Sequence, residues 1–365
     1  MSKNQWPRVL FDVGTGYELF ACLFVIHKAS DYGVRPSWAA GVRSRLSADV
    51  REMLSNIIDC FGLPAHWVYA LPTPKDGAAV IRQIERMPAE TILPELALDP
   101  GYPQPIKEIF FRVMKSGSWS KQDLNDVMGF FKQYDMGSRK NFQLWLDWWA
   151  KPQEFGLLYR RGLQEFYEGF FREEEKRIRP VLEEGLERVR KRSRELSVPD
   201  LFDEITQAHW MSEEKLSDLE DFVLIPSFWI SPLVFIGKLS ERQGIAQFGI
   251  RPKNISLVPG EAIPEGLSLP LQALSDTTRL RMLRLLNEDS LTQAQIAKAL
   301  RLRAPTITHH IKILRFANLI VPAPCASGEK RYRMREESMG ETWEVLEDFL
   351  KIGNKGQGGS KNGKL

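Results

Sequence analysis

Apolar positions recur along this chain at two spacings. Over residues 17–28, Tyr17, Phe20 and Phe24 stand three and four apart and lead to Lys28. Leu19, Leu23, Val25 and Ile26 thicken the stripe, and the pattern predicts a buried helix. Residues 37–62 carry Val42, Leu46, Val50, Leu54, Ile57 and Ile58 at the same steps and predict an amphipathic helix. Residues 163–196 predict a long charged helix with a narrow apolar stripe (Leu163, Phe166, Phe170, Val181, Leu182, Leu186, Val189), which Pro180 should kink or split. Its basic end, ERVRKRSREL, reads as a solvated face with intrahelical ion pairs. The spacing then changes. FVLIPSFWISPLVFIGKL (222–239) is β-branched and aromatic without helical period and predicts one or two buried strands, interrupted by Pro226 and Pro232. Proline-rich breaks at 72–76, 88–105 and 251–270 mark loops or boundaries.

From Leu271 the helical period returns in short segments. LQALSDTTRLRMLRLL (271–286) puts Leu271, Leu274, Leu280, Leu283, Leu285 and Leu286 on a core face, with a helix start at Asp276. In DSLTQAQIAKALRL (289–302), Thr292 is the expected N-cap, and Ile296, Ala297 and Leu300 form the apolar face. A break at 302–304 leads into APTITHHIKILRFANLI (304–320). On a wheel of about 100° per residue, Ile307, Ile311, Leu314 and Asn318 share one side of this helix. Thr306, His309, Lys312, Ile313 and Phe316 share the other, and Thr308 and His310 lie on the flanks. Two short helices and a tight turn make a helix-turn-helix. The second helix is polar where its first turns would meet base edges in a major groove. Pro305 suits an early helical position, and a helix N-terminus favours phosphate. LIV and KRYRM then flank the loop PAPCASGE, which predicts a β-hairpin wing carrying Lys330, Arg331, Arg333 and Arg335. Met339, Trp343, Leu346, Phe349 and Leu350 predict a closing amphipathic helix.

At 365 residues, with 43% hydrophobic and 27% charged, the chain is an ordinary globular sequence with room for two or three domains. The net charge of +3 hides a local asymmetry: residues 267–335 hold twelve bases against four acids, and residues 336–350 hold six acids and no base. The three cysteines are scattered with no CxxC, which argues against a disulfide framework or a cysteine-rich zinc site. The N-terminus lacks a signal-peptide pattern, and the run LFACLFVI is too short to span a bilayer. A cytoplasmic protein without membrane association is expected. The expected fold class is mainly α: a mostly helical N-terminal domain (1–250) for effector sensing or dimerisation, a linker (251–267), a winged helix-turn-helix domain with a small β-hairpin wing (268–350) and a disordered tail (351–365).

The segment ALSDTTRLRMLRLL, the helix TITHHIKILRFANLI and the wing GEKRYRM together resemble the ArsR-type winged-helix regulators of bacteria, over roughly residues 268–350. DVGTGYELFACLF and LIPSFWISPL further resemble a longer subclass, in which a helical domain precedes the winged helix. The resemblance implies a homodimer built through the first and last helices of the domain. It implies contact with double-stranded DNA through Thr306, Thr308, His309, His310 and the wing bases Lys330, Arg331 and Arg333, to which Arg303 and Lys312 add positive charge. It implies repression as the default mode and leaves room for a small-molecule effector. Metal sensing is not expected, because the helix LTQAQIAKAL has no cysteine and the last helix no histidine. His309 and His310 point too far apart to chelate. No cofactor or catalytic residue is expected, and the chain is read as not an enzyme: His27, His66 and His209 are isolated and belong to no catalytic motif. Gly14-x-Gly16 reads as a turn before a helix. The competing readings are a winged helix used for protein contact, and an enzyme carrying a DNA-binding domain.

Overall fold

The computed structural model describes residues 6–132, 139–206, 216–323 and 330–351. The chain forms two compact units. The first comprises Met1–Ala29, Arg35–Thr206 and Ser212–Arg251; the second comprises Ser30–Val34, Gln207–Met211 and Pro252–Leu365.

The first unit is mostly helical: α1 (Thr15–His27), α2 (Pro36–Arg43), α3 (Ala48–Ile57), α4 (Ala65–Tyr69), α5 (Gly77–Arg86), α6 (Ala89–Ala97), α7 (Gln104–Ser116), α8 (Lys121–Phe131), α9 (Arg139–Trp149), α10 (Pro152–Phe166), α11 (Arg172–Glu195) and α12 (Val198–Thr206). α1 is buried on nearly every side, as its unbroken apolar run requires. Residues 37–62 are two helices rather than one. Ser44 caps the turn by donating to Gly41 O at 2.8 Å, and the Ser47 N–H and hydroxyl both donate to Glu165 Oε2, at 2.8 and 3.0 Å. Serine side chains at that point offer the backbone an alternative to the helix. The long charged segment breaks its α geometry at a π-helical turn, Tyr167–Phe171, and α11 runs through Pro180 without splitting. Helices α6 and α10 touch backbone to backbone at Gly156, where a Cβ would fall 1.8 Å from Ala89 O.

Within this unit lies a four-stranded sheet of order β1-β2-β4-β3: β1 (Arg8–Phe11), β2 (Asp221–Ser227), β3 (Val234–Ser240) and β4 (Gln243–Gly249). β2 runs parallel to β1 and to β4, with Leu224 opposite Ala246, and β3 returns antiparallel to β4. β2 is buried almost throughout, as a parallel strand covered on both faces must be, and β3 alternates as an edge strand does. β2 and β3 are the strands expected in 222–239. β1 and β4 escape the sequence pattern, because four residues cannot establish a period and Gly244 and Gly249 make β4 look like a loop.

The second unit contains α13 (Glu265–Leu274), α14 (Thr277–Glu288), β5 (Leu291–Thr292), α15 (Gln293–Leu300), α16 (Ala304–Phe316), β6 (Ile320–Ala323), β7 (Arg331–Met334) and α17 (Glu337–Leu350). The strands form a small antiparallel sheet of order β5-β7-β6. The proline-rich stretch before α13 is built into this unit: the Glu265 carboxylate accepts from Ser256 Oγ at 2.8 Å and from the Leu257 N–H at 2.9 Å. The core draws on every helix but the last, through Ala273, Met282, Leu283, Leu286, Ile296, Ile307, Ile311 and Leu314. Fully burying each of the larger side chains contributes about 1.5–3 kcal/mol. Leu271 and Leu280, expected in the core, are instead 42% and 46% exposed. The chain breaks at Ser275, and Asp276 starts a fresh helix by accepting from the Arg279 N–H at 2.9 Å, so the two leucines do not share one stripe. Most of the wing loop, with Cys325 and Gly328, the tail from residue 352, and His209 lie outside the described residues.

Candidate nucleic-acid interface

Helices α15 and α16 are set by local chemistry at their ends. Thr292 caps α15 by accepting from the Gln295 N–H at 3.2 Å, and the Gln295 carboxamide accepts from the Thr292 N–H at 2.8 Å. This capping box closes both donors. The helix ends on Arg301 in the left-handed region (φ 56), and the chain turns at once into α16, with Arg303 as N-cap and Pro305 in the first turn. Ile307, Ile311 and Leu314 then anchor α16 in the core.

That anchoring fixes which side chains α16 offers outward. Arg303, Thr306 and His309 are exposed. Lys312 is exposed too, and its ammonium lies 2.7 Å from the Asp31 carboxylate. Thr308 is half-buried and its hydroxyl is committed: it donates to Ala304 O at 3.0 Å and accepts from Gln293 Nε2. Gln293 also donates to Ala304 O, at 3.1 Å, tying the start of α15 to the first turn of α16. His310 is half-buried, with its ring centroid 6.0 Å from that of His309. Burial pushes its imidazole below the ordinary histidine range, Arg279 and His309 act in the same direction, and Asp276 acts against them. The permanent positive charge of this surface rests on Arg303, Lys312 and the wing.

The wing bases divide into two kinds. Arg331 donates to Ser290 O at 3.0 Å and helps fasten β7 beside β5. Arg335 forms a forked pair with Glu341 of α17, one arm at 2.7 Å, and Lys253 joins the same carboxylate. Lys330, next to Arg331, is exposed, and Arg333, two residues from both Arg331 and Arg335, is half-buried. The expected base set is thus brought onto one helix-turn-helix and one hairpin, with Arg331 and Thr308 carrying structural duties as well. Gln293 and Asp31 were not anticipated. The Thr292-x-x-Gln295 box was legible in the sequence; nothing in it marks Gln293 or Asp31 as neighbours of α16.

In the first unit the lone histidines satisfy backbone carbonyls: His27 Nδ1 lies 2.8 Å from Leu23 O and His66 Nε2 3.0 Å from Glu95 O. Gly14 lets the turn before α1 pass Lys75, where a Cβ would fall 2.3 Å from the Lys75 carbonyl oxygen. Lys75 itself pairs with Asp12, which also accepts from the Tyr17 hydroxyl at 2.6 Å. A cleft of about 510 Å³ lies among α3, α9 and α10, floored by Met53, Trp148 and Leu157 and rimmed by Asp49, Glu52 and Glu154. Among the described residues no cluster of three histidine, cysteine or acidic side chains could hold a metal ion.

Comparison with known proteins adds one match. Residues 276–321, from the cap of α14 to the first residues of β6, match the family model described as bacterial regulatory protein, arsR family. No curated protein matches the chain.

Proposed function

The second unit carries an ArsR-type helix-turn-helix, the reading head of a DNA-binding transcriptional regulator, and from that premise we propose that the chain acts as a homodimeric repressor. It reads an inverted-repeat operator in the cytoplasm. The observation that carries the DNA reading is the outward face of α16. A core-anchored helix presents small polar and basic side chains in its first turns, and exposed Lys330 directly precedes the second wing strand. Such a surface suits base edges and phosphates.

The homodimer is supported by a different face. Leu271 of α13, Leu280 of α14, and Met339, Trp343, Phe349 and Leu350 of α17 are all more than 40% exposed. Large exposed apolar side chains on the first, second and last helices of one unit favour an interaction surface over a solvated one. The reading includes no catalytic step, because the histidines of the first unit are engaged by backbone carbonyls. No described helix is long and apolar enough to cross a membrane.

The test is a footprint on a duplex selected from a randomised pool. The expected pattern is two protected half-sites about 34–36 Å apart along the helix axis, related by an inverted repeat. A single half-site, or two in direct repeat, would contradict the dimer geometry.

A further inference from the structure

The segment Ser30–Val34 connects α1 to α2 in the sequence, yet it is part of the second unit. Its attachment is built rather than incidental. Tyr32 and Val34 are buried, at 2% and 1% exposure. The Tyr32 ring meets Phe316 of α16 edge-on, with centroids 4.8 Å apart and planes at 69°. Gly33, at φ +72, passes so close to Leu269 that a Cβ there would fall 2.7 Å from its side chain. Between these anchors and α16, Asp31 places its carboxylate 2.7 Å from the Lys312 ammonium. Lys312 and Phe316 lie one turn apart on the side of α16 turned from Ile307, Ile311 and Leu314. The segment thus lies along the same outer face that carries His309 and Thr306.

We propose that Asp31 is an affinity-determining residue of the DNA-binding surface: it occupies Lys312 and so competes with backbone phosphate for that ammonium. The proposal rests on the DNA-binding reading of α16. A lysine ammonium is a point charge, and what it gives to a carboxylate it withholds from a phosphate. The pair is half-exposed, with Lys312 at 50% and Asp31 at 27%, so it is weak enough for DNA to displace. This competition lowers affinity for every sequence alike and leaves discrimination between sequences unchanged.

The experiment titrates the full chain against a random-sequence duplex over a range of salt concentrations. Asp31→Asn keeps the size of the side chain and leaves Tyr32 and Gly33 untouched. It should tighten binding on the order of two- to five-fold and steepen the salt slope by about one. Lys312→Ala should weaken binding, and Asp31→Asn added to it should give little further gain. Binding by Asp31→Asn equal to that of the parent chain would overturn the proposal while leaving the DNA reading standing. The same gain with and without Lys312 would overturn the pairing. A chain that binds no duplex in either form would overturn the DNA reading itself.

Discussion

Two titratable side chains on α1 pull the stability of the first unit in opposite directions. The Glu18 carboxylate accepts from the Phe228 and Trp229 N–H groups at 3.0 and 2.9 Å, and burial nevertheless pushes its pKa up to about 7, with Glu174 adding to the effect. The folded state therefore favours the protonated acid. The stability this contributes is complete below the ordinary carboxylate range and is lost as pH rises toward 7. Burial lowers His27 to about 4, so its contribution is complete above the ordinary histidine value and is lost as pH falls toward 4. Across pH 4.5–6.5 the two slopes oppose each other. Glu18→Gln keeps an acceptor for the two N–H groups and removes the descending slope. Its urea midpoint, followed by tryptophan fluorescence, should rise steadily from pH 4.5 to 6.5 and exceed that of the parent chain at pH 7.5 by on the order of 3 kcal/mol in stability. A midpoint that falls with pH in the variant would refute the assignment. At this scale the sequence was legible where one residue does one local task, as at Thr292, Pro305 and the Gly14 turn. It was silent where the partner is remote: 281 positions separate Asp31 from Lys312, and no periodicity links them.

Elements were legible to the extent that their own period revealed what they bury. The three helices around the turn, both wing strands and the last helix fall where the apolar spacing puts them. The same spacing could not say whether an apolar stripe faces a core or a partner. Leu271 and Leu280 read as core and are exposed, as are Met339, Trp343, Phe349 and Leu350 of the amphipathic α17. Trp343 is the most exposed of them at 60%, and its indole N–H donates along the helix to Glu347 at 2.6 Å rather than into the fold. Trp343→Glu therefore removes little packing within the unit. It should convert a sedimenting dimer to monomer and weaken operator binding at least ten-fold, while the melting of the isolated protomer changes little. An unchanged sedimentation coefficient would exclude α17 from the interface. The split of residues 37–62 and the uninterrupted passage of α11 through Pro180 show the opposite failure. At residues 44–47 serine hydrogen bonds decide the outcome, and they have no spacing to read.

The whole molecule joins a unit with an ArsR-type helix-turn-helix to a larger unit whose sheet was only half visible. The mainly α class was legible because helices outnumber strands in both units. The parallel pairing of β1 with β2 was not, because more than two hundred residues separate Val9 from Phe222. The cleft among α3, α9 and α10 was likewise hidden, since its walls come from residues 49–56 and 148–161. What the account claims of the whole chain is that it selects DNA by sequence through α16. The most direct test is a competition titration against the selected duplex with random DNA as competitor, at two salt concentrations, for the parent chain and for His309→Ala. The account predicts selective, salt-sensitive binding by the parent chain. For His309→Ala it predicts a loss of about 1–3 kcal/mol on the selected duplex, with random-sequence binding and the salt slope nearly unchanged. Equal losses on selected and random DNA would contradict the assignment of α16 to the groove.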